Sequence, residues 1–135
     1  MSLKNKDYAF WYFRISGLIT ILGALPSVIS PKLGTHLSFG GMPTLTFPDE
    51  IFPIIGHWGI MVVGIGIMIY VSAKNLALRK HIIWYSIVEK TYLVGSGLYL
   101  YSQDSILGTM YMGAIVLDSL QVLGGVYYLL KNKKP

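Results

Sequence analysis

Four long apolar runs divide the chain, and the segments between them are rich in polar residues, glycine and proline. The runs cover roughly residues 7–30, 48–73, 82–102 and 106–130. An α-helix needs about twenty consecutive, mostly apolar residues to cross the hydrocarbon core of a bilayer. The pattern therefore predicts an all-α protein: a single integral membrane domain over residues 1–135, built as a bundle of four transmembrane helices.

The connections between the runs differ in character. Residues 30–47 form the only long one, and within it residues 37–39 and 44–47 alternate apolar and polar positions around Gly40 and Gly41. This alternation predicts a short β-hairpin in the first outer loop, with its second strand restricted to an edge by Pro43. The hairpin is expected to be either a lid over the outer mouth of the bundle or a connector packed on the helix ends. Residues 74–81 are expected to form a basic turn.

The positions of Lys and Arg predict the orientation. These residues are concentrated before the first run, in residues 74–81 and after the last run, whereas the first loop holds only Lys32 and the turn at residues 103–105 holds none. Because Lys and Arg are enriched in cytoplasmic segments, we expect a multi-pass protein with both termini in the cytoplasm. The formal net charge of +5 is explained by these flanks. The lipid bilayer is therefore the expected surrounding, and nucleic acid is not an expected partner.

The third run is long and apolar enough for one crossing of a bilayer, yet Glu89 and Lys90 lie near its middle. Its eight Ile, Val and Leu residues favour insertion by roughly 2.4 to 4.8 kcal/mol in total. Each central charge opposes insertion by about 2.5 to 3.5 kcal/mol. This run should barely insert alone, so other parts of the chain must compensate the two charges.

Depth along the helices suggests which residues compensate the charges of Glu89 and Lys90. At about 1.5 Å of rise per residue, Arg14 and Glu89 lie at similar depths, and Lys90 can reach Asp118. His57 lies in the outer half of the second run. Ionisable residues inside a membrane are candidates for function. Tyr92 shares a helix face with Glu89, and Gln121 shares one with Asp118, so these two polar residues are added to the candidates. The candidate ligand-binding residues are Arg14, His57, Glu89, Lys90, Tyr92, Asp118 and Gln121.

Known catalytic and cofactor motifs are missing from the sequence. The chain has no cysteine, no His-Glu-x-x-His, no Glu-x-x-His pair and no Gly-x-Ser-x-Gly, which are the signatures of metal and nucleophile sites. No cofactor and no bound metal are therefore expected.

The residues Arg14-Ile15-Ser16-Gly17, followed by Gly23 and Pro31, carry a family resemblance. They resemble the opening of small four-helix membrane proteins of the DoxX-like kind. The resemblance covers mainly the first third of the chain. It implies the four-helix architecture and no catalytic residue.

Three hypotheses for function follow from the intramembrane charges. The leading one is a membrane protein that binds or transports a small ligand or protons through Glu89 and Asp118. The second is an accessory or scaffold subunit, in a homo-oligomer or a larger membrane complex, whose ion pairs are structural. The third is a membrane-embedded isomerase or hydrolase that uses His57, Glu89 and Asp118 as acid and base groups. A wide pocket with unpaired carboxylates favours binding or catalysis, whereas closed ion pairs favour a scaffold.

Overall fold

The computed structural model describes residues 3–38 and 47–132, and within these ranges it is helical, with turns and no strand. A 3₁₀ turn at Asp49–Ile51 precedes the third helix. The α-helices of the described residues are α1 (Leu3–Ile29), α2 (Pro31–Ser38), α3 (Phe52–Ser72), α4 (Leu76–Ser102), α5 (Ile106–Met110) and α6 (Met112–Lys131).

Within the described ranges, three segments are long and apolar enough to cross a membrane: Tyr8–Ile29, Asp49–Ser72 and Met112–Lys131. They correspond to the first, second and fourth apolar runs. The third run lies within α4, which is not among them. Many large apolar side chains of these segments are exposed rather than packed inside the protein. A helix that is apolar all round is typical of a membrane span, so the chain has the features of a membrane protein.

The first loop contains a helix where a hairpin was predicted. Leu37 and Ser38, the first positions of the expected hairpin, lie in α2, so the prediction is wrong for them. The other positions of the hairpin, except Phe47, lie outside the described residues. Helix α2 folds back onto α1 because Gly34 packs directly on Ser27, where a Cβ atom would collide with that residue.

Helix α4 begins six residues earlier than the apolar pattern predicts. Asn75 is its N-cap, and the Asn75 side chain accepts a hydrogen bond from the Ala77 amide at 3.2 Å. The basic segment 74–81 is therefore mostly helical, and not the predicted turn. Hydropathy missed this start because it follows apolar content, whereas a helix start depends on capping.

Arg79 explains how α3 and α4 are held together at this turn. Its Nε donates to the Ser72 carbonyl at 2.8 Å, and its Nη2 donates to the Ala73 carbonyl. The last carbonyls of a helix have no partner within that helix, so the buried guanidinium caps the C-terminal end of α3. Arg79 was expected to be a flanking charge, and the structure instead buries it.

The helices associate as two antiparallel pairs, α1 with α3 and α4 with α6. Glycine allows the first pair to approach closely: a Cβ on Gly17 would lie 2.6 Å from the Tyr70 amide nitrogen. A Cβ on Gly66 would lie 2.9 Å from the amide nitrogen of Ile21. Fewer contacts join one pair to the other.

The apolar core lies at one end of the bundle. This terminal end is where α1 begins, α3 turns into α4 and α6 ends. Phe13, Ile69, Ala73, Ile82 and Ile83 form the core there. The opposite end, called the loop end, contains α2, the 3₁₀ turn and the α4–α5 turn.

The fourth apolar run is not one continuous helix. It is divided into α5 and α6 at Tyr111, whose backbone angles are φ −74° and ψ −5°. Gly108 of α5 packs against the backbone of Tyr101. The short helix α5 therefore turns over the end of α4 before α6 begins.

Candidate functional site

A buried ion pair lies halfway along the second helix pair. Lys90 Nζ of α4 donates to Asp118 Oδ1 of α6 at 2.6 Å, with 7% and 13% of the two side chains exposed. Sequence depth predicted this pair. Charge-assisted hydrogen bonds of this length are among the stronger polar contacts in proteins, so Lys90 and Asp118 are mutually compensated.

Gln121 extends this ion pair into a polar network. Its Nε2 lies 3.5 Å from Asp118 Oδ1, and the Thr20 hydroxyl lies 3.5 Å from its Oε1. Both distances are at the outer limit for a hydrogen bond. The Tyr12 hydroxyl makes a shorter bond, donating to the Gln121 backbone carbonyl at 2.7 Å. The network thus connects α1 to the α4–α6 pair.

A cavity of about 610 Å³ lies on the loop-end side of this network, between the two helix pairs. Its volume is within the range of roughly 300 to 1,000 Å³ that is usual for small-molecule sites. Polar side chains of α4 and α6, with Thr20 of α1, form one region of the lining. Ser27 and Thr35 line the cavity nearer the loop end, and apolar side chains form most of the rest. The polar lining includes Thr20, Ser27, Glu89, Lys90, Asp118 and Gln121; the apolar lining includes Ile19, Ile54, Ile55, Trp58, Val62, Leu93 and Leu117.

Glu89 is the unpaired carboxylate of this cavity. Within the described residues it makes no hydrogen bond and no ion pair, because its neighbour Lys90 donates to Asp118. Glu89 also lines an adjoining groove of about 640 Å³, together with Trp58, Leu93 and Tyr111, which line both spaces. Glu89 is therefore placed to contact a molecule in either space.

Arg14, the sequence-predicted partner of Glu89, lies elsewhere. Its guanidinium carbon is 3.8 Å from the centre of the Tyr70 ring and 5.4 Å from that of Phe10. The predicted Arg14–Glu89 pair is not formed, since Arg14 faces α3 and not α4. Depth along a helix does not determine which neighbour a side chain faces, and this prediction used depth alone.

His57 and Tyr92 are also separate from the ion pair. His57 is exposed and lines neither space, whereas the adjacent Trp58 lines both. Tyr92 is 79% exposed and lines only the groove. The trio proposed for acid–base catalysis, His57 with Glu89 and Asp118, is therefore not assembled around the cavity.

Several residues of the site were missed by sequence reasoning. Tyr12, Thr20 and Ser27 of α1 contact the network or line the cavity, and Trp58 does so from α3. A signal was present in α1, where Ser16, Thr20, Ala24 and Ser27 recur at three- or four-residue spacing and are all buried. A small and polar stripe at this spacing marks a helix face that packs inside a bundle.

The residue types restrict the chemistry of the site. No group of three or more His, Cys, Asp or Glu side chains in the described part of the chain could hold a metal ion. The site offers one unpaired carboxylate, an ion pair, an amide and aromatic faces. In comparisons with known proteins, no family model matches the chain, and no curated protein or solved structure matches it either.

Proposed function

We propose that this chain is a membrane protein with four transmembrane helices, the fourth span being α4. Helix α4 lies along α6, which is apolar and long enough to cross a membrane. Contacts recur along the pair: Ile87 meets Gly125, Lys90 meets Asp118, and Gly97 meets Ile115. A helix that accompanies a span over this length covers the same depth. Four spans are also the architecture that the resemblance to DoxX-like proteins implies.

The ion pair supports this proposal energetically. Two unpaired charges at the centre of a span oppose insertion by about 2.5 to 3.5 kcal/mol each. Lys90 is compensated by Asp118 and sheltered from the exterior, so it does not meet lipid as a free charge. Glu89 is half-buried and lines the cavity between the helix pairs as well as the adjoining groove. In bundles, intramembrane charges face such interior positions.

Cysteine labelling tests the fourth span, with the terminal end placed in the cytoplasm. The chain has no native cysteine, so Lys80→Cys and Asp104→Cys each introduce a single thiol at an exposed position on opposite ends of α4. An impermeant maleimide added outside intact cells should label position 104, and should label position 80 only after permeabilisation. The unmodified chain is the blank. Labelling of both positions from one side would contradict the proposal.

We further propose that the protein binds a small amphipathic molecule in the cavity. The observation that carries this proposal is a space of about 610 Å³ with mostly apolar walls and one polar region. Concave apolar sites with a few convergent polar groups are the usual form of small-molecule sites. The apolar walls would hold the body of the ligand, and the polar side chains would orient its head group.

A neutral probe, 1-naphthylmethanol, tests binding to the protein in lipid nanodiscs by equilibrium dialysis. We expect saturable binding above that of empty nanodiscs. Gly23 lines the cavity, and a Cβ there would meet open space, so Gly23→Leu should fill part of the cavity and abolish saturation. Gly95→Leu is the matched control, since Gly95 is exposed, also meets open space and lines neither the cavity nor the groove. Equal binding by the two variants would overturn the proposal.

The closed Lys90–Asp118 pair favours a second candidate function, an accessory or scaffold subunit. A compensated pair of this kind is suited to holding two helices in register. For a scaffold, no probe would bind, and the protein would instead co-purify in a larger complex that is lost when this pair is removed.

A further inference from the structure

The charges around the cavity do not balance. Lys90 and Asp118 compensate each other at 2.6 Å, which leaves the Glu89 carboxylate without a partner cation among the described residues. Arg14 cannot supply one because it lies on the Tyr70 ring. An ionised Glu89 therefore gives the lining an excess of one negative charge.

The aromatic lining complements this excess negative charge. Trp58 and Tyr111 line the same two spaces as Glu89. The faces of aromatic rings attract cations, and tryptophan does so most strongly. The chain itself uses this contact at Arg14, whose guanidinium lies over Tyr70. A positively charged group beside Glu89 would thus find a carboxylate and aromatic side chains together.

The apolar walls of the cavity favour a ligand whose uncharged part is lipophilic. Ile54, Ile55 and Leu93 are typical of the walls, and they offer no polar partner beyond their backbone. A hydrated inorganic cation would leave these walls without a complementary surface. An anionic head group would face the Glu89 carboxylate, and Lys90, the cation of the lining, is already compensated by Asp118.

We infer that the ligand of the cavity is a lipophilic organic cation, an amine or quaternary ammonium compound, and that Glu89 is its counter-ion. This inference rests on the proposed binding function and names its ligand class. Lys90 and Asp118 also line the cavity, but they compensate each other, which leaves Glu89 as the carboxylate available to the charged group of the ligand.

Three probes of nearly equal shape test the inference: 1-naphthylmethylammonium, 1-naphthylmethanol and 1-naphthoate, each dialysed against the protein in nanodiscs of zwitterionic lipid. We expect the ammonium compound to bind at least about tenfold more tightly than the alcohol, and naphthoate to bind most weakly. Glu89→Gln should bring the ammonium affinity to that of the alcohol. Glu50→Gln is the matched control, since Glu50 is exposed and lines neither space.

The outcomes distinguish failure of the ligand class from failure of the proposed binding function. If the alcohol binds the unmodified protein as tightly as the ammonium compound, or naphthoate binds most tightly, the inference fails while the binding function stands. Retention of the ammonium preference in Glu89→Gln would also overturn it. If no probe binds saturably, the proposed function itself fails. The comparison in the unmodified protein decides the ligand class even if Glu89→Gln does not fold.

Discussion

The two ends of the bundle contain the same four long helices but differ in what fills the space between them. At the terminal end the space is packed: Phe13 is 0% exposed, and Ile69 and Ile83 are 2% exposed. At the loop end the space is a cavity, and several of the buried positions there are small or polar, including Ala24, Ser27 and Thr35. The polar network around Gln121 lies between the two regions.

This difference suggests that stability and binding are carried by separate parts of the chain. Close-packed apolar side chains fix the helices at the terminal end. The side chains lining the cavity then project from helices that are already held in place, which is how preorganised sites are supported. Substitutions at the terminal end should therefore change the free energy of unfolding, whereas many at the loop end should change binding instead.

The largest expected effect compares Phe13→Ala with Trp58→Ala. Truncating a fully buried phenylalanine removes about 3 to 5 kcal/mol of stability. Trp58 is 41% exposed and borders empty space, so its truncation should cost much less. Denaturant unfolding in detergent micelles, followed by helical circular dichroism, measures both. Equal losses would show that the loop end contributes to stability as much as the core does.

The next effect concerns the ion pair between the two ends. Asp118→Asn leaves the buried Lys90 ammonium without a counter-charge, and breaking a buried pair on one side costs roughly 3 kcal/mol or more. The double variant Lys90→Met/Asp118→Leu removes both charges and should regain most of that loss. The same unfolding measurement applies. A double variant no more stable than the single one would mean that the pair is not a self-contained unit.

The smallest effect tests the close approach of α1 and α3. Gly66→Ala places a Cβ 2.9 Å from the Ile21 amide nitrogen, and such overpacking costs about 1 to 3 kcal/mol. Gly64→Ala, on the same helix, meets open space and should leave stability unchanged or raise it by up to about 1 kcal/mol. A similar response from both variants would rule out close glycine packing as the cause of this helix pairing.

Sequence reasoning succeeded where one physical quantity decided the outcome. Apolar run length predicted the long helices but missed α2 and the division of the fourth run at Tyr111. Depth at a constant rise per residue predicted that Lys90 could reach Asp118. It failed where rotation about the helix axis mattered. His57 and Trp58 are about 100° apart on one helix, and only the packing of α3 determines that Trp58 lines the cavity. Arg14 was misassigned for the same reason, since depth does not identify the neighbouring helix.

Two other errors came from short-range contacts. Alternation of apolar and polar residues predicted strands at Leu37 and Ser38, but contact between Gly34 and Ser27 stabilises a helix there. A basic residue near a span was interpreted as a flanking charge, but Arg79 bonds the end of α3. In both cases the contact that determines the structure is made between two helices. The apolar and polar pattern within one segment does not reveal such a contact.

The Lys90–Asp118 pair also has a consequence for the order of biosynthesis. Its members are separated by 28 positions in the chain, and ribosomes add about 5 to 20 residues per second. Lys90 therefore waits roughly one to six seconds before Asp118 has even been made. Throughout that interval α4, the proposed fourth span, carries an ammonium group without its Asp118 partner, which disfavours release into lipid. If the four proposed spans insert as they are synthesised, release of α4 together with α6 is favoured, because the bond between Lys90 and Asp118 then forms before α4 meets lipid.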